Sequence, residues 1–164
     1  SVPIKPDDFI YVPSGTVHAL KKGALILEVQ QNSDTTYRLY DYDRKDEEGN
    51  LRELHIEKSK DVINLPFVNN QAQPIIENLK DGRKSTLIKS EYFTVEKYVI
   101  NGKCKIKNNQ FFTLVNVVGG RGDLQVEDEV YTLSQGDFFM LSALAEDYSF
   151  KGQLEIIESH VEFP

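Results

Sequence analysis

With one cysteine, Cys104, the chain cannot form an internal disulfide, which suits a reducing, intracellular setting and makes the cytoplasm the expected location. No apolar run approaches about 18 residues, so no membrane-spanning helix is expected. Basic residues are the minority: 19 Lys and Arg stand against 26 Asp and Glu, for a net charge of −7. That balance argues against nucleic acid or an anionic membrane surface as a partner, while a local basic pocket for a phosphate stays open. A Gly-rich phosphate loop is also missing. The run "GGRGD" at 119–123 lies between two strand-like runs and reads as a hairpin turn. Histidines number only three, His18, His55 and His160, so any metal chemistry must draw on few imidazoles.

What the 164 residues do contain is β-branched and aromatic runs broken by Gly, Asn, Asp and Pro, long enough in total for one domain or two small ones. "DFIYV" and "ALILEVQ" read as strands around a Pro-Ser-Gly turn and a Lys-Lys-Gly turn, and "TTYRLYDYD" as a further strand. "IEKSKDVINL" is the one helix candidate, and it is short. Residues 66–89, with Pro66, Pro74 and Gly82, read as a linker or long loop. Beyond it, "YFTVEKYVI", "FFTLVNVVGG", "GDLQVEDEVYTL", "GDFFMLS" and "QLEIIESHVEF" follow at the short, regular spacing of an all-β barrel or sandwich.

Residues 4–29 lie over residues 133–158 without a gap. Asp8 falls on Asp137, Phe9 on Phe138, Gly23 on Gly152 and Leu25 on Leu154. The order strand, turn, strand, Lys-Gly turn, strand recurs, which predicts two copies of one β unit. Where the first copy has His18 the second has Asp147, so His18 reads as a functional addition rather than a packing residue.

A strand, then Pro-x-Gly, then a histidine three residues on is the pattern of the cupins. "YVPSGTVHAL", with "ILEVQQNSDTTYRLYDYDR" and "RELHIEKSKDVI", resembles the type I mannose-6-phosphate isomerases of bacteria. The likeness is specific over residues 5–63 and weak beyond about residue 90. It implies an all-β fold of cupin type, a double-stranded β-helix or jelly roll, with one short helix. It also implies a division into residues 1–65 as the end of a catalytic barrel, 66–89 as a linker and 90–164 as a second cupin-like unit. The family's Gln-x-His-Pro run and its separate metal-binding Glu have no counterpart here, and the first residue is not Met. The chain is therefore expected to be the C-terminal portion of a longer enzyme.

The resemblance assigns roles residue by residue. His18 corresponds to a zinc ligand, and His55 and His160 match no ligand position; the remaining ligands are expected outside this chain. Arg38 corresponds to an arginine that stabilises the negative charge developing as a proton moves between C1 and C2 of an open-chain sugar phosphate through a cis-enediol. Glu28 corresponds to an acid facing the active site. On the alternation of "ALILEV" it shares a face with Ala24 and Ile26. It is read as an acid or base, as a contact to substrate hydroxyls, or as a structural partner of Arg38 or a lysine. Asp34, Tyr40, Tyr42 and Arg44 either orient Arg38, line the pocket or form the polar face of a strand. His55 is read as structural, and Cys104 lacks the surroundings of a nucleophile.

The expected activity of the parent enzyme is zinc-dependent interconversion of mannose 6-phosphate and fructose 6-phosphate, with the isolated chain inactive. The alternative is a non-catalytic cupin module that binds a sugar or another small ligand. No nucleic acid or membrane is expected as a partner. A barrel cut partway would leave strands over residues 8–42 unpaired, so this half is expected either to pair with a second copy through those edges, as a homodimer and above all in a crystal, or to sit exposed and mobile, with residues 90–164 as the rigid part.

Overall fold

The computed structural model describes residues 2–33, 35–66, 72–108, 111–145 and 147–161. Two compact units emerge, one of residues 1–9 with 72–164 and one of residues 10–71. The larger unit is a single antiparallel sheet. Its strands are β1 (Ile75–Leu79), β2 (Gly82–Lys89), β3 (Thr94–Lys107), β4 (Phe112–Val126), β5 (Glu129–Ser134), β6 (Phe138–Ser142) and β7 (Asp147–His160). The order is β1-β2-β3-β7-β4-β5, and β6 pairs with the first part of β4 while β5 pairs with its last part. The all-β class with one short helix, α1 (Ile56–Val62), is the one the sequence implies.

Alternation explains which face is buried. Along β7, Tyr148, Phe150, Leu154 and Ile156 turn inward while Lys151 and Gln153 are exposed. Their register partners complete the core: Cys104 and Leu124 flank Phe150, Ile100 flanks Leu154, and Val117 and Tyr98 flank Ile156. Phe150, Ile156 and Val115 are wholly buried, so the sheet's stability rests on this face.

Three readings of glycine are corrected. Residues 75–89, expected to be part of a linker, form β1, a tight turn and β2. The "GGRGD" segment is not a hairpin turn but lies inside β4; the turn comes later, at Glu127–Asp128. Lys151-Gly152 is likewise no turn but the middle of the 14-residue β7. The physical reason is a level at which Gly102, Gly152 and Gly122 stand opposite one another across β3, β7 and β4. A row without side chains lets the long strands approach and bend. Just beyond it, β4 shifts register between Val117 and Gly119, and Gly120 takes φ +81°. A Cβ on Gly120 would fall on the carbonyl oxygen of Gln153. Gly120→Ala is therefore expected to destabilise this unit by about 3 kcal/mol, from backbone strain and the collision together. Urea unfolding would measure it, and an unchanged midpoint would show that the close approach is not required.

In the smaller unit the sequence expectation fails in a different way. "DFIYV", "ALILEVQ" and "TTYRLYDYD" form no strand among the described residues, where the only ladder of residues 10–66 is the single bridge Lys45–Leu51. Ile10, Val17, Leu20 and Leu25 are exposed. An alternating apolar run is half of a strand; the other half is a neighbour that takes up its N–H and C=O groups, and no such ladder forms here. The repeat reading fails with it: the later copy holds β6 and most of β7, while the earlier copy has no strands among its described residues. The helix candidate does form, over seven residues, and stops at extended Ile63.

Candidate active site

The Pro-Ser-Gly turn is built as a clamp. Thr16 N–H donates to Pro13 O at 3.2 Å, closing the turn, and Gly15 sits at φ +80°. Asn64, just past α1, fixes it from the other side: its main-chain N–H donates to Gly15 O at 3.0 Å and its side-chain amide to Ser14 O at 2.9 Å. A Cβ on Gly15 would come within 2.6 Å of Asn64 Nδ2, so both the conformation and the space call for glycine.

This clamp orients the histidine that follows. His18 is exposed, and its Nδ1 lies 2.9 Å from the carbonyl oxygen of Thr16. A carbonyl only accepts, so this hydrogen bond puts the ring proton on Nδ1 and leaves Nε2 with a free lone pair. A backbone carbonyl on one ring nitrogen is the arrangement that presents the other to a metal. One imidazole is not a zinc site, which takes three or four protein ligands. Among the described residues no group of three or more His, Cys, Asp and Glu is placed to hold a metal ion. His18 fits as one ligand; the described residues do not supply the set.

Arg38 is held through its main chain. His55 N–H donates to Arg38 O at 2.7 Å, and Arg38 N–H donates to His55 Nδ1 at 3.2 Å. His55, half-buried with its ring 5.9 Å from that of Tyr37, also accepts on its carbonyl the Ser59 N–H and hydroxyl of α1. A strand-like segment is thus tied to the start of a helix at the position of Arg38, which fits the structural reading of His55. The Arg38 side chain is half-buried, and no described carboxylate pairs with it. An arginine kept in place by its backbone and left without an anion is available to a ligand.

Glu28 departs from expectation. It is exposed, as are Ala24 and Ile26, so the face that alternation assigned to a barrel interior is not buried here, because the described residues of this unit form no paired sheet to give it an inside. The salt bridge from Glu28 to Arg38 is not formed either. The structure therefore orients His18 and Arg38 locally but brings neither to Glu28. Of the accompanying residues, Arg44 is engaged elsewhere, its guanidinium on the buried carboxylate of Asp41, with Nε 3.1 Å from Oδ1. Arg52 Nε stands 3.2 Å from Asp41 Oδ2, at ion-pair distance though not aligned as a hydrogen bond. Asp41 was not singled out from the sequence; the signal that points to it is an acid flanked by Arg38, Arg44 and Arg52. Tyr40 and Tyr42 pack ring to ring at 4.9 Å, and Asp34 lies outside the described residues.

Residues 83–161 match the family described as mannose-6-phosphate isomerase, cupin domain. Mannose-6-phosphate isomerase ManA of Bacillus subtilis is 46% identical over 160 residues, which is 98% of this chain and 51% of that protein. The mannose-6-phosphate isomerase of Streptococcus mutans is 46% identical over 159 residues, 97% of this chain and 50% of that protein. The crystal structure of the mannose 6-phosphate isomerase from Bacillus subtilis superposes with a TM-score of 0.93 at 45% identity, over 98% of this chain and 51% of that one, in its C-terminal portion. The chain spans about half the length of the curated relatives it matches.

Proposed function

Because the chain belongs to the mannose-6-phosphate isomerase family, we propose that it forms the C-terminal portion of an enzyme that interconverts mannose 6-phosphate and fructose 6-phosphate. The observation that carries this reading is the match of 98% of the chain to one such isomerase, in sequence and in fold alike. Within it, His18 is one zinc ligand, offered through Nε2, and the other ligands come from outside residues 1–164. Arg38 stabilises the oxygen charge of the cis-enediol: its guanidinium offers a planar set of donors, and no described carboxylate occupies them. Glu28 serves the proton transfer or holds substrate hydroxyls.

The apolar side chains exposed over residues 10–27 are, in this reading, covered by the rest of the catalytic barrel rather than by a second copy of the chain. The cytoplasm is the proposed location, supported by the free, buried thiol of Cys104. Among the described residues no helix is long and apolar enough to cross a membrane. Turnover of mannose 6-phosphate should appear in the full-length protein and be absent from residues 1–164 alone; turnover by residues 1–164 alone would sink the division of labour. The second reading, a non-catalytic sugar-binding cupin, is favoured by one observation, that the described residues supply no metal-ligand set. It predicts a full-length protein that binds the sugar phosphate without converting it.

A further inference from the structure

Two carboxylates meet inside the sheet of the larger unit. Glu96 on β3 and Glu158 on β7 are direct cross-strand partners, 9% and 2% exposed. Like charges directly opposite one another destabilise a sheet, and burial sharpens the cost. Glu96 has its compensation: Lys84 of β2 places Nζ 2.7 Å from Oε1, Thr86 donates its hydroxyl to Oε1 at 3.3 Å, and Tyr98 donates its hydroxyl to Oε2 at 3.1 Å. Among the described residues Glu158 has only a neutral donor, the Tyr148 hydroxyl, at 2.9 Å from Oε1.

The remaining neighbours supply little to balance it. On β3, Tyr98 and Cys104 are acidic groups, both pushed up by burial first and then by the Glu158 charge. On β4 the partner of Glu158 is Val115, and on β6 the next residue across is Phe139, so neither strand brings an ionisable group to that row. His160 stands one row further along β7 on the same face, opposite Thr94, and Lys89 of β2 faces Thr94 from the other side, so both basic groups lie at this end of the sheet.

We propose that the Glu96–Glu158 pair works as a proton-operated switch in the sheet interior. With Glu158 protonated, Lys84 and Glu96 cancel and the β3–β7 ladder encloses no net charge; with Glu158 ionised, a second buried carboxylate faces the first and loosens that ladder. The carboxyl of Glu158 is raised to about 7 from its usual 4.5, by burial first and by Glu96 as well, against the opposing effects of Tyr148 and Lys84. A raised folded-state value means that the folded unit holds the proton more tightly than the unfolded chain. The stabilisation is complete below about 4.5 and is lost as pH rises through about 7.

The test is urea unfolding of the full chain, followed by circular dichroism at pH 5 and pH 8, for wild type and Glu158→Gln. The amide copies the neutral carboxyl and still accepts from Tyr148. Wild type should lose on the order of a hundredfold in the folded-to-unfolded ratio between the two pH values. The variant should lose much less and be the more stable protein at pH 8. Parallel pH profiles would overturn the proposal, since they would assign the dependence to other groups, His160 included. A second readout needs no variant: the carboxyl carbon of Glu158 in an NMR titration should move near pH 7, and a midpoint in the ordinary glutamate range would equally contradict the switch.

Discussion

Arg38→Lys is expected to lower isomerase turnover by about two to three orders of magnitude in the full-length enzyme while leaving its zinc content unchanged. The magnitude is that of removing one preorganised donor from a site where negative charge develops. The direction follows from geometry. His55 holds the Arg38 backbone from both sides, through its N–H and through its ring, and a lysine would keep those contacts, because they involve only main-chain atoms at residue 38. What changes is the planar fork, which can meet both oxygens of an enediolate at once; an ammonium is a point charge on a flexible stem. Steady-state kinetics beside metal analysis separates the possibilities. Wild-type turnover in the lysine variant would make the arginine a structural residue. A parallel loss of zinc would mean that the substitution had disturbed the metal site instead.

Changing His18 to alanine should have the other large effect, with the opposite signature. Zinc affinity is expected to fall by more than about a hundredfold, the upper end for loss of a mere outer-shell partner of a metal ligand, and turnover should fall with it. Stability should stay within about 0.5 kcal/mol of wild type, because the ring is exposed and its one hydrogen bond, to Thr16 O, lies at the surface. The turn beneath it is held by Asn64 and does not depend on the ring. Full zinc occupancy in the alanine variant would remove His18 from the ligand set.

Some of this was legible in the residues and some was not. The strands from Thr94 onward could be read because each alternates about a core and finds its neighbours within the same stretch of chain. Helix α1 was legible for a similar reason, being local. Residues 10–42 misled because their pattern describes a strand whose ladder does not form here. Gly152 and Gly120 misled because a glycine signals a turn and a mid-strand bend equally well, and only the row it forms with Gly102 and Gly122 tells the two apart. The Pro-Ser-Gly turn before His18 was legible as a turn, yet the reason for its glycine lay with Asn64, far along the chain. Glu28 was read from the resemblance and from alternation together, and the burial that alternation assigned it depends on a paired neighbour that the described residues of its unit do not supply. The Glu96–Glu158 pair was invisible from sequence, since two acids in separate strands meet only through register.

Conversion of mannose 6-phosphate to fructose 6-phosphate by the full-length protein, assayed as purified, after chelation and after zinc is returned, tests the central claim most directly. The claim that this chain completes a zinc-dependent isomerase with His18 and Arg38 predicts turnover that vanishes with the metal and returns with it. Turnover that survives chelation, or a zinc-loaded protein that binds the sugar phosphate and leaves it unchanged, would contradict the claim.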